Sequence, residues 1–208
     1  MTAVSPAVST LRSTQQAEDM NGIAHDQARS VGGRATGWLE PSRSLEDDYR
    51  MGNGIRISQL SGDPDIATVL AEWFETEWHD YFGSKPPGHA LAMISDRANR
   101  LRLPLCLVAF KGVEPVGTAS LAASSIDECA DVGPWIVGHL VHPMHRHRGV
   151  GMALIDEGVR VAASLGHSSL YIAIRRGHER FEARGWAIHA WVDHEAQSLC
   201  VLRRALES

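Results

Sequence analysis

Lysine is nearly missing from this chain. Of 20 basic side chains only Lys85 and Lys111 are lysines, and 25 acidic residues leave a formal net charge of −5. With no basic excess, a protein built to coat nucleic acid is excluded. Cysteine is also scarce: Cys106, Cys129 and Cys200 lie far apart with no Cys-x-x-Cys pair. That excludes a disulfide framework or a thiolate zinc site, and a reducing cytoplasm is the expected setting. The three thiols read as small buried hydrophobes. No apolar run approaches the roughly 18–20 residues that cross a bilayer, so no membrane partner is expected. The first twenty residues lack the apolar core of a secretory signal. What is present is ordinary for a globular domain, with 44% hydrophobic and 22% charged residues in a chain of 208.

The chain divides near residue 50. Residues 1–50 are rich in Ser, Thr, Gln, Gly and Ala, and show no sustained period of 3.6 or 2. Such a segment buries too little to offset its ordering entropy, so a mobile extension is expected there, with Trp38 and Leu39 as a small docking contact. Residues 51–208 read as one complete domain. Residues 55–60 predict a strand. Asp63-Pro64 then supplies an N-cap and a first-turn proline for a helix carrying Ile66, Val69, Leu70, Trp73, Phe74 and Trp78. A second helix is predicted around Leu91, Ile94, Ala98 and Leu101. Residues 105–110 and 116–123 predict a hairpin, and 135–141 a further strand. An amphipathic helix follows over 150–165, stopped by Gly166. A strand over 170–174, a short helix over 178–183 and a closing hairpin (186–192, 198–203) complete a mixed α/β pattern.

The informative segment is 135–151, which reads WIVGHLVHPMHRHRGVG. A strand runs into a tight loop, glycines follow, and a helix starts at once. Glycines let backbone approach a ligand closely. The first amides of the helix lack internal partners and sit at the positive end of its dipole. Together these form an anion cradle, and Arg146 and Arg148 add two permanent charges, so a diphosphate is the expected guest. Gly149-Val150-Gly151 lacks the third glycine of a dinucleotide fingerprint and the Gly-Lys-Ser/Thr of a Walker loop. A plain structural turn with solvated arginines is the bland alternative. His139, His142, His145 and His147 do not read as a metal site, because strand alternation turns the first two to opposite faces.

Arg146-x-x-Gly149-x-Gly151 after His142-Pro143 resembles the acetyl-CoA motif of the GCN5-related N-acetyltransferases. The Pro134-Trp135 strand, the following helix, the 170–174 strand and the late Phe181-Glu182-Ala183-Arg184-Gly185-Trp186 fall in that family's order. The resemblance covers roughly residues 54–205. It implies a mixed, mostly antiparallel twisted sheet of about six to seven strands flanked by about four helices. It implies acetyl-CoA as co-substrate, without a metal, and transfer of acetyl to an amine, of a small molecule rather than a protein, by direct attack on the thioester. Backbone groups of His139, Leu140 and Val141 would hold the pantetheine arm. Amides of Arg146, His147, Arg148, Gly149, Val150 and Gly151 would hold the pyrophosphate. The Leu140 N–H would stabilise the oxyanion.

His139 is the first candidate base, since alternation from Trp135 and Val137 puts it on their face. Many family members carry a general-acid tyrosine where this chain has Phe181, which cannot donate a proton. Tyr171 and His178 are the substitutes, and a non-catalytic acyl-CoA-binding module is the alternative reading. A free thiol of pKa about 8.5 is a tolerable leaving group without that acid. Candidate acceptor contacts are Glu75, His79, Tyr81, Glu128 and Trp135, with the acidic loop Asp127, Glu128, Asp131 favouring a cationic acceptor. The last hairpin offers an edge strand to a second copy, as in a homodimer.

Overall fold

The computed structural model describes residues 49–50, 54–194 and 197–207. Its strands are β1 (Tyr49–Arg50), β2 (Ile55–Gln59), β3 (Leu105–Lys111), β4 (Glu114–Ala122), β5 (Trp135–Val141), β6 (Ser169–Ile174), β7 (Trp186–His194) and β8 (Gln197–Ala205). The helices are α1 (Pro64–Glu77), α2 (His79–Phe82), α3 (His89–Asp96), α4 (Val150–Ser164) and α5 (Glu179–Glu182), with single 3-10 turns at Asp127–Cys129 and Pro143–His145. One eight-stranded sheet runs β1-β2-β3-β4-β5-β6-β8-β7. Every neighbouring pair is antiparallel except β5 and β6. The mixed sheet expected from the sequence is what forms.

Local chemistry accounts for the boundaries. The Asp63 carboxylate accepts from the Asp65 and Ile66 amides, capping α1, and Pro64 occupies its first turn. The predicted helix through Trp78 breaks there, and α2 follows as a separate turn. The helix expected to reach Leu101 stops at Asp96, leaving Leu101 exposed. Between β3 and β4 only Gly112 and Val113 remain as the turn, and Gly112 takes φ 64°, which a tight hairpin requires. Tyr49 and Arg50 pair with Ile57 and Arg56, so the sheet begins just inside the expected extension. Trp38 and Leu39 lie outside the described residues.

The central strands β3 to β6 are buried on both faces, whereas the edge strand β7 is largely exposed. On one, Leu105, Leu107, Leu121 and Ile136 pack against Val150, Leu154 and Val161 of α4. On the other, Cys106, Val108 and Leu140 pack against Leu70 and Phe74 of α1 and Ile94 of α3. Beside that second layer, Trp135, Val137 and Tyr171 are covered by Ile126 and Cys129 of the long β4–β5 connection. All three cysteines are buried and free.

Candidate active site

Two features of β5 create a site. The first is its poor pairing with β6: the strands share one register pair, Trp135 with Tyr171, and the Tyr171 amide donates to the Pro134 carbonyl at 2.9 Å. Beyond that point β5 continues to Val141 without a ladder partner on the β6 side. An open slot with unpaired peptide groups along one wall is what an extended, amide-bearing ligand needs.

The second feature is a β-bulge. Ser120 pairs with Val137 and Thr118 with Leu140, so Gly138 and His139 together oppose Ala119. Gly138 takes φ 58°, the left-handed conformation such a bulge places on glycine. The extra residue reverses the alternation. Trp135, Val137 and Leu140 face the α1 side, whereas the His139 ring points at α4. The expectation that His139 shares the face of Trp135 and Val137 is therefore overturned.

The bulge also redirects the backbone. The His142 amide donates to the Val116 carbonyl at 3.0 Å, and Leu140 is the register partner of Thr118. In an antiparallel ladder these facts turn the Leu140 amide toward β4 as well, leaving the peptide groups of His139 and Val141 facing the slot. Leu140 is thus occupied by the sheet, contrary to its expected place as oxyanion donor.

At the open end of β5 the chain makes a 3-10 turn and enters α4. Gly149 is the N-cap at φ 83°, His147 also has positive φ at 60°, and no side chain caps the helix. The first helical bond of this region joins the Ala153 amide to the Gly149 carbonyl at 3.0 Å. The amides of Val150, Gly151 and Met152 consequently have no intrahelical acceptor. With the exposed residues His147, Arg148 and Gly149 before them they make the start of α4 a consecutive backbone segment of the kind that binds anions. The Arg146 amide is excluded, because it donates to the Pro143 carbonyl at 3.4 Å.

Arg146 itself departs from expectation. Its Nη2 donates to both carboxylate oxygens of Glu77 at 2.9 Å, and its Nε donates to the Val141 carbonyl at 3.0 Å. The guanidinium is a strut joining the end of α1 to the end of β5, rather than a free charge for phosphate. It also places a cation by the carboxylate at the C-terminus of α1, where the helix dipole disfavours an anion.

Gly151 likewise serves packing. A Cβ there would lie 3.0 Å from His139 Cε1 and 3.1 Å from its Nε2. His139 Nε2 hydrogen-bonds to the Gly151 carbonyl at 3.0 Å, which requires the proton on Nε2. Burial pulls the His139 imidazole below its ordinary range, partly opposed by that hydrogen bond. The ring therefore stays neutral at neutral pH and pins α4 to the bulge. His142, stacked 5.2 Å from Trp73, is lowered chiefly by burial too.

A model of the Acetyltransferase (GNAT) family matches residues 69–186, more than half of the chain. The chain belongs to the GNAT acetyltransferase family. Solved structures agree on the fold. An aminoglycoside 6'-acetyltransferase type Ii aligns at TM-score 0.59 and 15% identity, over 73% of this chain and 97% of its own. An aminoglycoside 6'-N-acetyltransferase complexed with coenzyme A aligns at 0.58 and 13%, over 73% and 97%. Ard1 from Thermoplasma volcanium aligns at 0.54 and 16%, over 74% and 99%. Among curated proteins none is similar enough in sequence to match the chain.

Within this GNAT chain the remaining expected site residues are dispersed. Trp135 is wholly buried, with its Nε1 donating to the Val132 carbonyl at 2.7 Å, so it is no open acceptor wall. Tyr171 is buried against Trp135 and His189, at ring distances of 5.5 and 5.3 Å. Phe181 packs edge-on to Trp186 in the α4-side core. Glu75 and His79 are exposed, His79 lying 3.5 Å from Asp80. Glu128 is bound to His194 Nδ1 at 3.1 Å. Tyr81 is partly buried, with the Lys85 ammonium 4.3 Å from its ring centroid. His178 meets Trp191 edge to face, with ring centroids 5.5 Å apart. Residues that sequence reasoning missed are Glu77, the bulge glycine Gly138, and the β4 residues Thr118 and Ser120 opposite the bulge. Only Gly138 carried a signal, as an isolated glycine within a strand. Among the described residues no cluster of His, Cys, Asp or Glu is arranged to hold a metal, and no helix is long and apolar enough to cross a membrane.

Proposed function

We propose that this protein transfers the acetyl group of acetyl-CoA to the amine of a small molecule. The observation that carries the proposal is the slot between β5 and β6 opening onto the uncapped start of α4. The slot-facing His139 carbonyl and Val141 amide pair with the pantetheine amides, the Val141 carbonyl staying with Arg146, and the amides from His147 to Met152 take the pyrophosphate. Exposed Arg148 adds positive charge beside that cradle.

The thioester then lies against the bulge. There the His139 amide, facing the slot, donates to the carbonyl oxygen as it gains negative charge under attack by the amine. The acceptor enters on the α1 side of the sheet, past α1 to α3. The His139 side chain acts as a positioning group: its ring is on the α4 side and holds the cradle at a fixed distance from the bulge. Tyr171 and Phe181, both packed, donate no proton, so the C–N bond forms as the C–S bond breaks, the thiol leaves as thiolate at a pKa of about 8.5, and the surplus proton of the amine passes to solvent water.

The test has two parts. Calorimetry is expected to show stoichiometric binding of CoA, and a thiol-release assay with acetyl-CoA and a library of amines is expected to show turnover. Binding without turnover for any amine would support an acyl-CoA-binding module instead, and no binding would remove both readings.

A further inference from the structure

The acceptor side of the sheet contains a buried cation that meets no carboxylate at ion-pair distance among the described residues, the Asp96 carboxylate before it acting only from farther off. Arg97 follows α3, only 6% of its surface is exposed, and its Nη1 is buried without a hydrogen-bond partner. Among the described residues no carboxylate pairs with its guanidinium. Arginine keeps its charge inside a protein and carries five donors, so burial in this state is costly unless an anion arrives. The groups that act on it are the Cys106 thiol, the Tyr81 phenol and, least, the Asp96 carboxylate. Burial pushes the Cys106 thiol up, so it is neutral at neutral pH and supplies no charge.

The location gives this cation a purpose. The Arg97 carbonyl accepts from the Cys106 amide at 2.9 Å, which fixes the residue beside β3. Cys106 is the register partner of Ser120, and Ser120 is the partner of Val137, the residue before the bulge. All three side chains lie on the α1 face. The Ser120 hydroxyl is also wholly buried and has no hydrogen-bond partner. A guanidinium with one unpaired nitrogen and, beside the Cys106 thiol, a hydroxyl with no geometrically formed hydrogen bond therefore lie along one line that ends at the bulge. Two strand spacings, about 10 Å, separate Cys106 from β5. An acceptor whose anionic group sits several bonds from its amine spans that line.

We propose that Arg97, assisted by Ser120, is the anchor for a carboxylate on the acceptor, so that the physiological substrate is an amino acid or a related amine bearing a carboxylate. The proposal rests on the acetyltransferase reading above for the direction in which the amine points. The carboxylate meets Arg97 and Ser120 while the amine reaches the bulge.

The test uses L-lysine, L-methionine, L-phenylalanine and L-glutamate, each compared with its methyl ester. Dissociation constants are measured by calorimetry on the full chain, both alone and loaded with CoA. At least one acid is expected to bind tenfold to a hundredfold more tightly than its ester, as a charge-assisted hydrogen bond warrants. Arg97→Met is expected to reduce the acid to the affinity of its ester while CoA binding persists. Arg97→Lys, which keeps the charge without the fork, recovers part of the preference. If no acid outbinds its ester in the unaltered protein, or Arg97→Met retains the preference, the proposal is overturned. Should Arg97→Met fail to fold, the unaltered protein and Arg97→Lys decide the matter. A protein that prefers acids but does not bind CoA would keep the anchor and sink the acetyltransferase reading.

Discussion

Removing Glu77 should weaken CoA binding, although Glu77 carries the wrong charge to touch a phosphate. The reasoning runs through Arg146, which bridges the Glu77 carboxylate and the Val141 carbonyl. Side-chain exposures of 28% for Arg146 and 16% for Glu77 put the pair between two regimes. Exposed pairs contribute about 0.2–1 kcal/mol, whereas truncating one member of a buried pair costs about 3–5 kcal/mol. A coupling of about 1–2 kcal/mol is expected, measured by a urea-denaturation cycle over Arg146→Ala, Glu77→Ala and the double variant. Loosening the turn at Pro143–His145 also frees backbone that the ligand must order again. That ordering costs about 1–2 kcal/mol for each residue fixed. CoA affinity should therefore fall roughly tenfold for every 1.4 kcal/mol, and by similar amounts in Arg146→Ala and Glu77→Ala. If Arg146 were instead a direct phosphate ligand, removing the neighbouring carboxylate would tighten CoA binding. A Glu77→Ala protein with unchanged or improved affinity refutes the strut.

Four further outcomes follow from the same geometry. Gly149→Ala must adopt φ near 83° at a cost of about 1–2 kcal/mol, and is expected to lose stability and CoA affinity together; an unaltered CoA isotherm would count against the cradle. His139→Ala removes one hydrogen bond, worth about 1 kcal/mol, and should raise the KM for acetyl-CoA severalfold while kcat at saturation changes little; a selective fall in kcat would make the ring a base after all. His139 and His142 both have imidazoles lowered in the folded state, so the unfolded chain binds more protons below the ordinary value of 6.5. Their contribution to stability is present above that value and is lost as pH falls toward the folded values, and equal unfolding free energies at pH 7.5 and 5.5 would contradict it. Phe181→Tyr places a hydroxyl in a packed core position, so about 1–3 kcal/mol of stability should be lost with no gain in turnover. Faster thiol release in that variant would show that the position reaches the site.

Most of the architecture could be read before any coordinates. The α1 start was legible because Asp63-Pro64 is a local signal, and α4 because Leu154, Ile155 and Ala162 recur on one face. The uncapped, glycine-led start of α4 was legible for the same reason, being built from consecutive residues. What failed was whatever depended on register. Period-2 counting from Trp135 put His139 on the wrong face, because a bulge depends on how β4 pairs with β5 across a long connection. Arg146 seemed free because its partner, Glu77, is 69 residues away. Trp135 and Tyr81 both looked like acceptor walls, and only packing separates the first, fully covered, from the second, partly open. Arg97 gave no sign at all, since burial of a lone arginine follows from the whole α1–α3 layer closing over β3.

The single surplus residue in β5 has an effect on how this chain tolerates change. Deleting Gly138 would set His139 directly opposite Ala119 and leave every later side chain of the strand on its present face. Closing the bulge while keeping its residue would instead exchange inside for outside along the rest of the strand, swinging His139 among the α1 side chains and Leu140 against α4. A replacement of Gly138 that cannot hold a positive φ is therefore the change that threatens to separate the cradle from the reacting end of the slot.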